Sequence, residues 1–289
     1  MPRSLLASVA AVVLVTACGA VPGQGPSSAL PLPSPPTGAL AVWKDFPANA
    51  SPRPIISFGD IVEYIPQAGF PDGDRKIAWT CNKFVLAPGV TVSTTSPGPA
   101  TAGGASFPSI SSARAYSDLM AERSANSNSS PECGPLRAFA ITAVRWSTAG
   151  FPTDRGTTQM SAWLFDIAEA NAYIGHSAVD PAALWGGGIA TEGRGGQIAV
   201  DGRTLKVLVS NAQPGPCGSD YTAATAESET AAAVAIKRIP HASPGAEVAC
   251  DMMLRVSYIT VGLKAPLGGR VLVDEDGKVG CACPQARET

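Results

Sequence analysis

The first constraint on this chain is the compartment in which it folds. Arg3 is followed by an apolar run, Leu5 to Val15, and then by small residues. A positive start, a short apolar stretch and small residues make the pattern of a secretory signal. The run is too short to cross a bilayer as a helix, which takes about 20 apolar residues. Outside the reducing cytoplasm, cysteines become covalent struts. Beyond residue 18 the chain carries six: Cys81, Cys133, Cys217, Cys250, Cys281 and Cys283. An even number in that setting predicts a disulfide-stabilised fold and leaves many connectivities open. Cys217–Cys250 is favoured because it closes a β segment within one half of the chain, and Cys81–Cys133 is its counterpart in the other. Cys281 and Cys283 would share one face of a strand, where a direct bond sits near the upper limit of bridging distance. They pair elsewhere, stay free, or supply a redox-sensing role.

The end of the apolar run is more specific. Leu14-Val15-Thr16-Ala17-Cys18-Gly19 resembles the lipobox of bacterial lipoproteins. The resemblance implies cleavage just before Cys18 and a diacylglycerol thioether on its sulfur. Thiolate nucleophilicity is what that bond needs. A further acyl chain on the new amine makes anchoring stable where one chain would be marginal. The implied location is the outer face of the cell membrane, and the implied partner is the membrane, through the lipid anchor. Residues 1–17 are then signal peptide. Residues 18–52 read as a tether, because Pro22, Pro26, Pro31, Pro33, Pro35 and Pro36 sit there among Ser, Gly and Ala. Such composition buries too little apolar surface to offset ordering entropy.

The remainder divides into an α+β half, 53–185, and a β-rich half, 186–289, or runs as one continuous domain, 53–289. Ser111 or Ser112 caps a helix whose Tyr116, Leu119 and Met120 fall on one face. Ile55–Ile65, Arg137–Trp146, Thr157–Ile167 and Ala172–Val179 read as strands, and Lys76–Leu86 fits either strand or short helix. Asp201-Gly202 within Ile198–Val209 is a hairpin signal, as is Asp276-Gly277 further on. Tyr221–Ala226 can pair with Ala232–Ile239, and Leu254–Leu263 is a further strand. The expected class is α+β and β-rich: a mostly antiparallel sheet with one helix packed on it, stabilised by disulfides.

Two sets of motifs carry a second resemblance. One is Thr153-Asp154-Arg155-Gly156 leading to Ala162-Trp163-Leu164-Phe165. The other is Pro216-Cys217-Gly218-Ser219-Asp220-Tyr221 with Glu227-Ser228-Glu229, then Ala265-Pro266-Leu267-Gly268-Gly269-Arg270-Val271-Leu272-Val273-Asp274. Together, over roughly residues 111 to 280, they resemble uncharacterised secreted lipoproteins of high-GC Gram-positive bacteria. That family brings no assigned activity. It has Pro-Ala-Trp where this chain has Ser161-Ala162-Trp163.

Composition excludes some functions. The formal net charge is −2, with Lys+Arg at 21 against Asp+Glu at 23, so no basic footprint points to nucleic acid. The two histidines, His176 and His241, cannot build a multi-histidine metal site. Gly175-His176-Ser177-Ala178-Val179 lacks the last glycine of a hydrolase elbow. His176 reads as a surface or edge residue, and His241 as part of a turn. Gly186-Gly187-Gly188 and Gly193-Arg194-Gly195-Gly196 fail as phosphate loops and read as flexible. Asp72-Gly73-Asp74 and Asp274-Glu275-Asp276 read as solvated turns, and Glu227 with Glu229 as a solvent-facing edge. Five tryptophans, Trp43, Trp79, Trp146, Trp163 and Trp185, are not gathered by sequence into one surface. No cofactor and no catalytic residue is implied. The expected function is a non-catalytic binding or interaction domain for an envelope protein, glycan or small molecule. The alternative is an envelope hydrolase whose catalytic residues are unidentified. Cys18→Ala is expected to move the protein from the membrane fraction to the soluble fraction; undiminished membrane retention would refute the anchor.

Overall fold

Short apolar stretches interrupted by Gly, Pro and polar turns dictate many short strands. A computed structural model of the chain describes residues 30–67, 69–127, 133, 136–187, 189–241, 250, 253 and 255–285. The lipobox, Cys18 included, lies outside them. Contacts gather Leu32–Thr289 into one unit, and the description below concerns that unit.

Its first part holds β1 (Ile61–Tyr64), α1 (Gly73–Thr80), β2 (Phe84–Leu86), β3 (Ala100–Ala102), β4 (Ala105–Phe107), α2 (Ser112–Ser127), β5 (Phe139–Ile141), β6 (Ala143–Thr153), β7 (Gly156–Ile167) and β8 (Ala172–Ser177). The long strand β7 pairs along its length with β6 and, through Ala162–Ile167, with β8 on its other edge. Strand β1 lies outside β8, and the β3–β4 hairpin meets β7 at Ala102↔Met160. Helix α2 lays Ala115 and Leu119, both fully buried, against this sheet, with Tyr116 and Met120 partly buried beside them. Ser111 Oγ accepts from Arg114 N at 3.2 Å to start the helix. Helix α1 is an addition to the expected single helix. Its cap is Asp72, whose carboxylate accepts from Arg75 N at 2.7 Å, so a string with turn composition is a helix start instead. Trp79 on α1 joins Phe84, Phe139, Phe165 and Ile174 in one core cluster. The opposite sheet face buries Phe151, Met160 and Leu164.

The second part holds β9 (Gly196–Ile198), β10 (Thr204–Ser210), β11 (Ser219–Glu227), β12 (Ala231–Pro240), β13 (Val256–Gly262), β14 (Val271–Asp274) and β15 (Ala282–Pro284). Two sheets result, ordered β13-β10-β9-β15 and β11-β12-β14. Three pairings are parallel, β2–β5, β12–β14 and β9–β15; the other strand pairs are antiparallel. The Asp201-Gly202 turn works through the Asp201 side chain, which accepts from Arg203 N and Thr204 N. After Asp276-Gly277 only a single bridge, Val273↔Val279, closes the turn, and the chain passes on to β15 in the other sheet. The Gly193–Gly196 stretch is not a free loop. A Cβ on Gly195 would lie 2.5 Å from the Cys281 N and O, so glycine there permits backbone to pack on backbone.

Cys81 and Cys133 pair with Cα atoms 5.5 Å apart, and Cys217 and Cys250 with 5.6 Å. Cys281 and Cys283 also stand at bonding distance, with Cα atoms 5.2 Å apart. An extended i, i+2 pair would be about 6.6 Å apart. Strand β15 begins only at Ala282, so Cys281 precedes the regular strand and the two sulfurs can meet.

The segment read as the end of a tether is instead core. Residues Thr37–Trp43 form a 3-10 turn, and Ala39, Trp43, Phe46, Ala48 and Ile56 are buried with Ala231, Ala233, Val271, Val273 and Val279. Within residues 18–52 the buried Ala39, Trp43, Phe46 and Ala48 are spaced too irregularly to show a period. Phe46 is 1% exposed. Truncating a buried Phe typically costs about 3–5 kcal/mol. Phe46→Ala is therefore expected to lower the unfolding free energy measured by urea titration by about 3–5 kcal/mol, and the midpoint with it; an unchanged midpoint would show that this segment does not contribute to the fold.

Candidate functional site

The two-residue turn between β6 and β7, Asp154-Arg155, carries charge at the end of a largely apolar hairpin. Gly156 follows at φ +93°, a conformation that favours glycine and lets the chain reverse. The turn does not project into solvent. Asp154 N donates to Ile56 O at 3.1 Å, and Ala282 N donates to Asp154 O at 2.9 Å. The tip is thus stitched to two segments far away in sequence.

The Asp154 side chain is 2% exposed. A buried carboxylate is tolerated only when paired. Arg53 supplies the partner with both arms of its guanidinium, Nη1 to Oδ1 at 3.2 Å and Nη2 to Oδ2 at 2.5 Å. This fork is the strong geometry for Arg and carboxylate. Arg53 Nε donates to Gly269 O at 2.7 Å, and the guanidinium lies over the Phe46 ring. Arg155 stands beside the pair, its Nε 3.6 Å from Asp154 Oδ2, and its Nη2 donates to Arg270 O. Arg270, also buried, donates to Glu227 Oε2 at 2.9 Å and to the carbonyls of Ser228, Ala265 and Pro266. Glu227 accepts in turn from Lys264 N and Ala265 N. Those bonds and Arg270 hold its carboxyl below the usual range against the upward push of burial. Glu227 is therefore not the solvent-facing edge residue that sequence suggested.

The motif residues of both sequence halves, Asp154 and Arg155 from one, Glu227 and Arg270 from the other, meet in this network. A cleft of about 350 Å³ opens over it, lined among others by Arg53, Ile55, Phe107, Thr153, Arg155 and Thr158. Thr153 and Thr158 face each other through their hydroxyls at 3.1 Å. The charge in the cleft floor does not balance. Two guanidiniums share one carboxylate, since Glu227 is taken by Arg270. Burial, followed by repulsion from Arg53, pushes the Arg155 guanidinium down to about 10 despite Asp154. Nothing in the Thr153-Asp154-Arg155-Gly156 string points to Arg53 or to the meeting with Arg270. The usable signal was an acid and a base at the tip of a hairpin between apolar strands.

His176 corrects a second expectation. It is 1% exposed, on β8 between β1 and β7, opposite Ile61 and Trp163. Its Nδ1 bonds the Ser177 carbonyl at 2.7 Å, its Nε2 has no hydrogen-bond partner among the described residues, and Asp60 Oδ2 lies 3.7 Å away. The Ser177 hydroxyl accepts from Val179 N at 3.3 Å, so His176 and Ser177 do not form a base–nucleophile pair. Asp274 is likewise buried and organises its turn, accepting from Asp276 N and Lys278 N at 3.0 Å each. The tryptophans fall into three groups: Trp146 against Trp163, Trp79 among phenylalanines, and Trp43 and Trp185 both edge-on to Phe46. Among the described residues no group of three or more His, Cys, Asp or Glu is placed to hold a metal ion. No helix among them is long and apolar enough to cross a membrane. No family model matches the chain, and no curated protein or solved structure matches it.

His241 closes the Gly215–Asp220 stretch. Its Nδ1 lies 2.9 Å from Gly215 O and its Nε2 3.1 Å from Asp220 Oδ1. Both partners accept, so the doubly protonated ring satisfies both bonds. The Gly215 carbonyl first, and then Asp220, raise its pKa above 6.5. Its stabilising contribution is therefore complete below the unfolded value of about 6.5 and is lost as pH rises through the higher folded value. NMR titration of His241 is expected to give a midpoint above that of an unstructured histidine, and Asp220→Asn to lower it. A midpoint at or below the reference would refute the clamp.

Proposed function

We propose that this chain is a lipid-anchored protein of the outer face of the cell membrane, one of the secreted lipoproteins its motifs resemble. Its folded part is a non-catalytic binding domain that takes an anionic group, a carboxylate or phosphate, in the Arg53–Arg155 cleft. One observation carries the ligand: two guanidiniums at the cleft floor share a single buried carboxylate. Among the described residues Arg155 Nη1 has no hydrogen-bond partner, and an arriving oxyanion would accept from it and offset the repulsion of Arg53. Ile55 and Phe107 give apolar walls for the rest of an organic acid. Cys18 and its lipobox neighbours support the anchor.

The test compares thermal stability in citrate, inorganic phosphate and chloride at matched ionic strength. Ligand binding to the native state raises Tm by mass action. Citrate or phosphate is expected to raise Tm above chloride in the wild-type protein and to lose that effect in Arg155→Gln. Arg155→Lys keeps the charge and is expected to retain part of it. Equal Tm in all three salts, or an anion effect unchanged by Arg155→Gln, would overturn the assignment.

A further inference from the structure

A second cleft, also about 350 Å³, lies where Trp43 and Trp185 approach each other. Trp43 is fixed. Its indole N–H donates to Gly277 O at 2.9 Å, and its ring is 8% exposed. Trp185 is only partly buried, and among the described residues its indole N–H has no hydrogen-bond partner. Phe46 holds both rings edge-on, at 6.0 Å from Trp43 and 5.0 Å from Trp185. Trp185 is held in turn by its backbone, whose N–H donates to Ile55 O at 2.9 Å. The aromatic floor is thus preorganised by core residues. Val42 and Ile189, 71% and 48% exposed, extend the apolar surface to the mouth.

The rim is polar. Asp276 and Lys278 stand across from the indoles, both well exposed and 3.9 Å apart, with Thr191 in the same lining. An acyl chain or apolar peptide would fit the floor but would leave the Asp276–Lys278 pair at the rim without a polar group to meet. A ligand that matches both parts has an apolar face and an edge of hydroxyls. That is the chemistry of a sugar ring: C–H groups lie on an aromatic face, and neighbouring hydroxyls bridge a carboxylate and an ammonium. The size is at the lower end for small-molecule sites, which suits one or two rings.

We infer that the Trp43–Trp185 cleft is a saccharide-binding site, with Trp185 as the stacking platform and Asp276 and Lys278 as the hydroxyl-binding pair. The site is separate from the Arg53–Arg155 cleft, and its ligand is uncharged. Failure of one reading leaves the other standing.

Saturation-transfer NMR on the purified full-length protein in a sugar-free detergent tests it, with N-acetylglucosamine, methyl mannoside, trehalose and decanoate as probes. At least one sugar is expected to receive saturation through its ring C–H protons. Trp185→Ala is expected to abolish the transfer. Asp276→Asn, on an exposed side chain that leaves the fold intact, is expected to weaken binding about tenfold, the equivalent of about 1.4 kcal/mol. Saturation of decanoate alone would overturn the proposal, as would sugar binding unaltered in both variants or no transfer to any of the sugars.

Discussion

The buried carboxylate of Asp154 is the constraint on which the rest of the molecule is arranged. A charge that is 2% exposed must be answered nearby. The answer comes from Arg53, about a hundred residues earlier in the chain, in a two-armed bond. Arg53 is itself tied to Gly269, and Arg155 to Arg270. One charge at a hairpin tip thus fixes three segments: the chain before the first sheet, the β6–β7 turn, and the approach to β14. The joint between the first sheet and the later strands is polar at this point, and its geometry is set by forks and carbonyls. Apolar packing alone would tolerate sliding; a bidentate pair does not.

The segment around Phe46 is the other half of that joint. Phe46 carries Arg53 over its face and Trp43 and Trp185 at its edges. Its ring therefore separates a cationic cleft from an aromatic one. Both clefts owe their shape to residues that look, in sequence, like the tail of a proline-rich linker. The linker's end packs on the β11-β12-β14 sheet through Ala39, Trp43 and Phe46, and Arg53 just after it reaches the β6–β7 turn.

Features governed by local chemistry were readable from sequence. The α2 helix has its serine cap and its buried face at Leu119. The β11–β12 hairpin contains the expected pairing of Tyr221–Ala226 with Ala232–Ile239, and Cys217 and Cys250 meet across the same half. What sequence concealed depends on neighbours brought from afar. His176 has the composition of an edge residue, yet β1 and β7 close over β8 on both sides. The Gly193–Gly196 stretch has the composition of a loose loop, yet Gly195 lets Cys281 pass at backbone distance, and Gly193 and Gly196 do the same for Lys278 and Lys206. Asp72 has the composition of a turn, yet one bond to Arg75 N makes it a cap. The Arg53–Asp154 pair spans about a hundred residues, and no spacing rule reaches that far. Only the acid and base at a hairpin tip, Asp154 and Arg155, were visible as an anomaly.

The five charged groups of the network, Arg53, Asp154, Arg155, Glu227 and Arg270, are not equivalent. Arg270 meets a carboxylate and four carbonyls, and Glu227 meets Arg270 and two backbone N–H groups. Each is satisfied within the protein, which is how a residue that only holds the fold is expected to look. Arg53 is satisfied by Asp154 and Gly269. Arg155 is the exception: it shares a carboxylate already taken, faces a like charge, and borders open space. An apolar residue at that position would avoid the repulsion and pack against Ile55 and Phe107. Arg155 is thus held by one carbonyl and a shared carboxylate, where Arg270 and Glu227 close their bonds within the protein.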